Sequence, residues 1–173
     1  QQIAQGAPVD LFISAAKDKF VELVDDGLID QNHMNDFLGN KLVLITPKGL
    51  EAEIKTLSDL LSNEIDLIGI GTPETVPAGL YAKQAFENLN LWESLEEKII
   101  PAKDVRQVLS YVETNNVDAG IVYKTDAVMS EKISFVFPIE SQLHDPVIYP
   151  IGIVDGTKHQ EEAIDFFKFL KSE

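Results

Sequence analysis

Short apolar runs alternate along the chain with segments whose apolar residues recur at helical spacing. The runs are rich in β-branched residues and are bounded by glycine and proline, which is typical of strands. The segments between them have the period of amphipathic helices. The pattern predicts strands over 9–14, 41–46, 65–70, 98–101, 119–123, 133–137 and 147–154, and helices over 17–26, 57–61, 77–89, 104–113, 125–129 and 159–170. This alternation predicts an α/β fold with mainly parallel sheets that helices cover on both faces.

Two predicted strands are candidates for crossings between two lobes. They are the apolar run Leu42–Thr46 and the run Ile148–Ile151. If both cross, the chain leaves lobe one, builds lobe two and returns for its last helix. We therefore predict lobe one from residues 1–44 with 150–173, and lobe two from residues 45–149. Two lobes joined in this way form a cleft that can close on a ligand by hinge bending.

The segment after the predicted strand 65–70 has the features of an anion site. Gly71-Thr72-Pro73 ends the strand, Thr75 is a candidate helix cap, and Pro77 suits the first turn of a helix. The N–H groups of Ala78 and Gly79 then face outward at the positive end of the helix dipole.

Two more positions could present donors to the same ligand. Asp104 is a good N-cap, so Val105 after it presents a first-turn amide. Tyr123 lies at the carboxyl end of its strand, where ligands gather in open α/β sheets, and its hydroxyl can donate without adding charge. Each feature alone is common, and Tyr123 could instead be an ordinary strand-end tyrosine that bonds to a backbone carbonyl. The side chain of Arg106 points away from the Val105 amide in a helix, so a surface or aspartate-paired role is expected for it.

Charge and composition exclude several function classes. The formal net charge is −15, which argues against nucleic acid or an anionic membrane surface as a partner. An anionic ligand must therefore be held by local dipoles. The chain has no cysteine, and its three histidines show no metal-ligand spacing. Because no phosphate-binding loop, complete dinucleotide fingerprint or nucleophile with a base is visible, we expect neither an enzyme nor a cofactor.

Three segments together resemble one known family, the periplasmic molybdate-binding proteins of molybdate ABC transporters. These segments are Val76–Ala82, Pro101–Arg106 and Gly120–Ala127. Upstream segments are similar to the same family, in the same order and at similar spacings: Gln5–Ala15, Gly27–Asp30 and Leu38-Gly39-Asn40.

The resemblance implies a two-lobed, type II periplasmic binding protein that holds molybdate or tungstate in its cleft and delivers it to the permease of an ABC importer. Carried over residue by residue, the ligand donors are the backbone N–H of Ala78, the backbone N–H of Val105 and the hydroxyl of Tyr123. No positively charged side chain, cofactor or free metal cation takes part. We expect a monomer in the periplasm or outside the cell, either free or lipid-anchored to the membrane.

The resemblance also implies donors that this chain does not supply. The family uses two serines on loops near its N-terminus, and those loops precede the point where this sequence starts. We therefore expect an additional N-terminal segment in the natural protein, and weak or absent ligand binding by this chain alone. Ser14 lies in a matching strand motif but is assigned to neither serine.

Two alternative functions stay open at this point. One is a receptor of the same fold for sulfate or another oxyanion, which cavity size and donor geometry would distinguish. The other is a ligand-sensing domain of a transcription regulator, which shares the two-lobe fold. An export signal upstream would favour the transporter, whereas a DNA-binding region upstream would favour the regulator.

Overall fold

The computed structural model describes residues 2–50 and 52–172. Within these residues the chain forms eight β-strands and six α-helices, with short 3-10 helices in the connections. The strands are β1 (Leu11–Ile13), β2 (Ile29–Gly39), β3 (Leu42–Pro47), β4 (Ile68–Gly71), β5 (Ile99–Ala102), β6 (Ala119–Tyr123), β7 (Ile133–Pro138) and β8 (Ile148–Val154). The α-helices are α1 (Lys17–Asp25), α2 (Pro77–Asn88), α3 (Trp92–Leu95), α4 (Val105–Glu113), α5 (Lys124–Ala127) and α6 (Gln160–Leu170). Among the described helices, none combines the length and the apolar character that a membrane crossing needs.

Two compact units make up the fold. The first comprises Gln1–Gly39 and Val147–Glu173, and the second comprises Asn40–Pro146. The lobe boundaries predicted from the sequence, after residues 44 and 149, fall inside β3 and β8. The structure differs from them by a few residues, because each of these strands pairs within a single sheet, β3 in the second unit and β8 in the first.

In the first unit, β8 is the central strand of a three-stranded sheet in the order β1-β8-β2. It runs antiparallel to both neighbours, so β1 and β2 run parallel to each other on either side of it. Side chains alternate between the two faces of β8. Val154 packs with α1 residues Phe20 and Leu23 on one face, while Ile151 and Ile153 pack with α6 on the other.

The second unit has a five-stranded sheet in the order β5-β4-β6-β3-β7. β4 runs parallel to β5 and β6, whereas β3 runs antiparallel to β6 and β7. All six residues of β3 are buried, because helices cover both faces of the sheet. Leu42 and Leu44 face the cluster that includes α2, and Val43 and Ile45 face the cluster that includes α4 and α5.

The predicted α/β class is confirmed, but the sheets are mixed and not mainly parallel. Within the described residues, parallel pairing is confined to β4 with β5 and β6. In each unit one strand of opposite direction, β8 or β3, inserts between two strands that run parallel to each other. The alternation of strands and helices predicts that the two flanking strands run in the same direction. It does not predict that an antiparallel strand lies between them.

One long strand, β2, is absent from the sequence-based prediction. Its central residues are polar and mostly exposed, so it contains no apolar run that would mark a strand. It forms because its backbone pairs with β8, with register shifts between Ile29 and Met34 and between Asp36 and Leu38.

A lysine holds the turn before β4 in the second unit. The Lys98 ammonium donates to the backbone carbonyls of Leu60 at 3.1 Å, Ser62 at 2.8 Å and Ile65 at 2.6 Å. These carbonyls belong to the end of a 3-10 helix and the loop after it, where the helix itself supplies no donors. Lys98 therefore joins this loop to the segment that enters β5.

We predict that Lys98→Met lowers the free energy of unfolding by about 2 kcal/mol, because three carbonyls lose a charged donor. Urea-induced unfolding followed by the fluorescence of Trp92, the only tryptophan, measures this in the same unit. The matched control is Lys132→Met at an exposed position, which should change stability by less than about 0.5 kcal/mol. Equal stability of the two variants would contradict the assigned role of Lys98.

Candidate functional site

Three strand-to-helix connections lie at one edge of the second unit's sheet. They lead from β4 to α2, from β5 to α4 and from β6 to α5. Because these three strands are parallel neighbours in the order β5-β4-β6, their carboxyl ends meet at the same edge. The predicted donors Ala78, Val105 and Tyr123 lie one in each connection. The topology therefore brings all three to one edge of one sheet.

The chain enters α2 through a tight turn. The carbonyl of Thr72 accepts hydrogen bonds from the N–H of Thr75 at 3.1 Å and of Val76 at 2.8 Å. The N-cap of α2 is Val76, followed by Pro77 at the first helical position, and no side chain caps the helix. The prediction of Thr75 as the cap is therefore wrong, because Thr75 belongs to the turn one residue earlier.

The first turn of α2 leaves one amide without an internal partner. The carbonyl of Val76 accepts the N–H of Gly79 at 2.9 Å and the N–H of Leu80 at 3.1 Å. Gly79 therefore does not present an outward amide, which corrects the prediction for that residue. The N–H of Ala78 has no acceptor among the residues that the structure describes. It is the amide of this turn that can donate to a ligand.

Two glycines let this first turn lie directly against the end of β4. A Cβ atom on Gly79 would come within 1.9 Å of the carbonyl oxygen of Gly71. A Cβ atom on Gly71 would come within 2.5 Å of Cγ1 of Val76. The first turn of α2 therefore lies so close to the end of β4 that neither position 71 nor position 79 has room for a side chain. The sequence-based interpretation treated Gly71 only as a strand terminator, although glycines on both sides of the turn were the available signal.

The start of α4 is capped by a side chain, as predicted. The Asp104 carboxylate accepts the N–H of Gln107 at 2.8 Å. The side-chain oxygen of Gln107 accepts the N–H of Lys103 at 2.8 Å. This reciprocal arrangement satisfies amides on either side of Val105, whose own N–H has no acceptor within residues 2–50 and 52–172. The Asp104 carboxylate faces its own helix in this arrangement.

Tyr123 is the last residue of β6 and the N-cap of α5. It lies opposite Leu42 in the pairing of β6 with β3. The side chain is half-buried and packs against the core cluster that includes α2. Its position at the end of a central strand follows from the apolar run before it, as the sequence predicts.

Two charged side chains, those of Arg106 and Asp126, lie near the starts of α4 and α5. Burial raises the pKa of the Asp126 carboxyl, and the positive charge of Arg106 acts in the opposite direction. Arg106 follows Val105, and Asp126 lies in the first turn of α5 after Tyr123. The charge of Arg106 therefore reaches Asp126, while the aspartate-paired role expected for Arg106 stays a prediction.

Ser14, which the sequence left unassigned, lies in the first unit. Its hydroxyl donates to the carbonyl of Ala16 at 2.8 Å and accepts the N–H of Ala16 at 3.1 Å. The side chain is buried, so these local bonds satisfy it. In the part of the chain that the structure describes, no group of three or more His, Cys, Asp or Glu side chains could hold a metal ion.

The whole chain, residues 1–173, matches the family described as bacterial extracellular solute-binding protein. It is 50% identical over 173 residues to a Bacillus subtilis protein that is named as an ABC transporter substrate-binding lipoprotein, covering 100% of this chain and 66% of that protein. It is 39% identical over 177 residues to the Escherichia coli molybdate-binding protein ModA, covering 99% of this chain and 68% of that protein. The chain thus spans about two thirds of the length of these curated relatives.

Solved structures give a similar result. A substrate-binding domain from Clostridium difficile, assigned in its description to a molybdenum ABC transporter, superposes with a TM-score of 0.89 at 39% identity, covering 100% of this chain and 75% of that one. The periplasmic molybdate-binding protein of Azotobacter vinelandii has a TM-score of 0.79 at 26% identity, covering 99% of this chain and 76% of that one.

The contact between Gly71 and Gly79 leads to a stability prediction. Gly79→Ala should lower the free energy of unfolding by about 2 kcal/mol or more, because the new Cβ meets backbone atoms that cannot rotate away. In an ordinary helix interior, a Gly→Ala change would raise the free energy of unfolding by roughly 0.5–1 kcal/mol. The sign of the change therefore distinguishes a clash with Gly71 from the usual effect. Thermal or urea-induced unfolding measures it.

A matched control for this prediction is Gly69→Ala in β4. A Cβ atom at Gly69 would lie 3.3 Å from Cγ1 of Val108, a side-chain atom that can shift. We expect a loss of about 1 kcal/mol or less. A Gly79→Ala variant at least as stable as the wild-type chain would show that the helix start is not held against β4.

Proposed function

Because the chain belongs to the family of bacterial extracellular solute-binding proteins, we propose that it is the solute-binding component of an ABC importer and that its ligand is molybdate or the similar anion tungstate. The fold is that of the type II periplasmic binding proteins. Relatives named as molybdate-binding support the choice of ligand. The observation that carries the proposal is a pair of amides, those of Ala78 and Val105, which have no acceptor among the described residues and lie in parallel connections at one sheet edge.

The chemistry of these donors suits a small tetrahedral dianion. Ala78 lies in the first turn of the twelve-residue helix α2, and Val105 begins the nine-residue helix α4. The positive ends of both helix dipoles therefore act on the same edge of the sheet. The Tyr123 hydroxyl is the third donor and adds no charge. All three groups donate to oxygen acceptors of the anion, so none of them requires the anion to carry a proton.

Neutral donors fit the electrostatics of the chain. With a net charge of −15, the protein has no long-range field that attracts an anion. Arg106 follows Val105 in sequence and its charge lowers the pKa of Asp126, and the proposal gives it no contact with the anion. The ligand is therefore held by fixed dipoles, whose directions are set by the backbone.

The three donors also limit the affinity that they can provide. Three charge-assisted hydrogen bonds contribute roughly 5–9 kcal/mol, while association costs at least about 4 kcal/mol. About 1–5 kcal/mol then remains, and a dissociation constant near 1 mM corresponds to about 4.1 kcal/mol. Binding much tighter than millimolar needs donors besides these three.

Further properties follow from the same proposal. The protein binds its ligand without chemical change and without a cofactor, and it delivers the anion to the permease of the importer. It acts as a monomer outside the cytoplasmic membrane, either free or lipid-anchored, as the name of the Bacillus subtilis relative indicates for that protein.

The amide donors can be located directly. In amide NMR spectra of isotope-labelled protein titrated with sodium molybdate into the millimolar range, we expect the largest shifts at Ala78 and Val105. Gly79 and Gln107 are internal controls because their N–H groups already donate within the protein, and they should shift less.

A sodium chloride titration at equal ionic strength separates specific binding from general screening. A sulfate titration under the same conditions tests whether the site takes oxyanions in general. Largest molybdate-induced shifts at amides outside these connections would refute the proposed site.

The hydroxyl of Tyr123 is tested by its removal. Tyr123→Phe should weaken molybdate binding by about 1–3 kcal/mol, because a donor to the anion is lost while the ring is kept. Calorimetric or NMR titration gives the affinity. Tyr111→Phe, near the other end of α4, is the matched control and should bind as the wild-type chain does. Equal affinities of the two variants would remove Tyr123 from the site.

A further inference from the structure

The segment Leu38-Gly39-Asn40 has a clear family resemblance but no part in the donor set described above. The structure gives the side chain of Asn40 a definite contact. Its Nδ2 donates to the hydroxyl oxygen of Thr125 at 2.9 Å, although the two residues are 85 positions apart in the sequence. Its Oδ1 accepts the N–H of Lys41 at 2.9 Å. The amide group is therefore oriented from both ends.

This contact extends the pairing of β3 with β6. The last paired residues of these strands are Leu42 and Tyr123. One step further, the N–H of Lys124 donates to the carbonyl of Lys41 at 2.8 Å. Another step further, Asn40 bonds to Thr125 through its side chain. The ladder thus continues past the end of both strands and across the start of α5.

The start of α5 needs such an external bond. The helix has four residues, and its N-cap Tyr123 supplies no side-chain cap. A single helical turn is not stable on its own, so contacts from outside fix where β6 ends and α5 begins. Buried Ala127 holds the end of α5 in the core, and the bond from Asn40 holds its beginning.

We propose that Asn40, through its hydrogen bond to Thr125, is a positioning residue that sets the direction of the Tyr123 side chain toward the oxyanion. The inference rests on the proposed function. Asn40 does not touch the ligand in this scheme but acts through the backbone of residues 123–125. Displacement of the α5 start would rotate the Tyr123 side chain, and hydrogen bonds weaken steeply when the donor is misaligned.

The test compares affinities for sodium molybdate across a set of variants. Asn40→Ala and Thr125→Val should each weaken binding about 3- to 10-fold, the effect of one hydrogen bond. The double variant should bind no more weakly than Asn40→Ala alone, because that change already removes the bond to Thr125. Thr125→Ser keeps the hydroxyl and should bind as the wild-type chain does.

The chain offers a matched control at the other end of α4. Nδ2 of Asn116 donates to the hydroxyl oxygen of Thr114 at 2.7 Å, which is the same pair of groups away from the candidate site. Asn116→Ala should leave molybdate affinity unchanged. In a Tyr123→Phe background, Asn40→Ala should cause no further loss, because its effect passes through the phenol hydroxyl.

A second readout does not need the ligand. In Asn40→Ala, hydrogen exchange of the Lys124 amide should accelerate, since the bond beside it no longer closes the ladder. The same amide in Asn116→Ala should exchange at the wild-type rate. The amide spectra of each variant also show whether it is folded.

The outcomes are distinct. Unchanged affinity in Asn40→Ala, or a full additional loss in the Tyr123→Phe background, overturns the positioning role. If the wild-type chain shows no measurable molybdate binding, the result agrees with the need for further donors, and the exchange measurement alone then decides the inference. In that case unchanged exchange of the Lys124 amide overturns it, and faster exchange supports it.

Discussion

The contact between the first turn of α2 and the last residue of β4 determines where a ligand site can form in the second unit. Gly79 lies so close to the carbonyl of Gly71 that only hydrogen atoms fit between helix and strand. The helix axis is therefore fixed relative to the sheet at its very first turn. A helix whose start is fixed in this way keeps its uncapped amide in one place, which is what an amide donor requires in order to select a ligand by geometry.

The acidic character of the chain makes such geometric selection necessary. A net charge of −15 gives the protein no long-range field that would concentrate an anion. In the proposed site, backbone amides and a phenol hydroxyl would provide partial positive charge without a mobile ammonium group, and their dipoles would need no reorganisation when the ligand arrives. The Asp104 carboxylate is turned to its own helix, and the charge of Arg106 acts on Asp126.

At the sheet edge formed by the carboxyl ends of β5, β4 and β6, the sequence predicts which strands and helices form more reliably than it predicts how they pack. The apolar runs locate β4, β5 and β6, and Asp104 is recognisable as a cap because its role depends on neighbours three residues away. Local pattern fails where an element depends on a distant partner. The polar strand β2 exists because β8 pairs with it, and β8 and β3 convert an expected parallel order into a mixed one.

The same distinction applies to individual residues of the candidate site. Ala78 and Val105 could be proposed from helix-start signals, and Tyr123 from the end of a strand. The close approach of Gly79 to Gly71 of β4, and the contact of Asn40 with Thr125, depend on how separate segments meet. No spacing rule within one segment contains that information.

The central place of β8 in the first unit has a consequence for how the polypeptide acquires its fold. The second unit is one continuous stretch, Asn40–Pro146, so all its strands are available before the C-terminal residues have been synthesised. In the first unit, β1 and β2 flank a strand that arrives more than a hundred residues later, and neither can complete its hydrogen bonds until then. During translation on the ribosome, the edges of β1 and β2 therefore stay unpaired until β8 has been synthesised. The second unit can reach its native arrangement before that point.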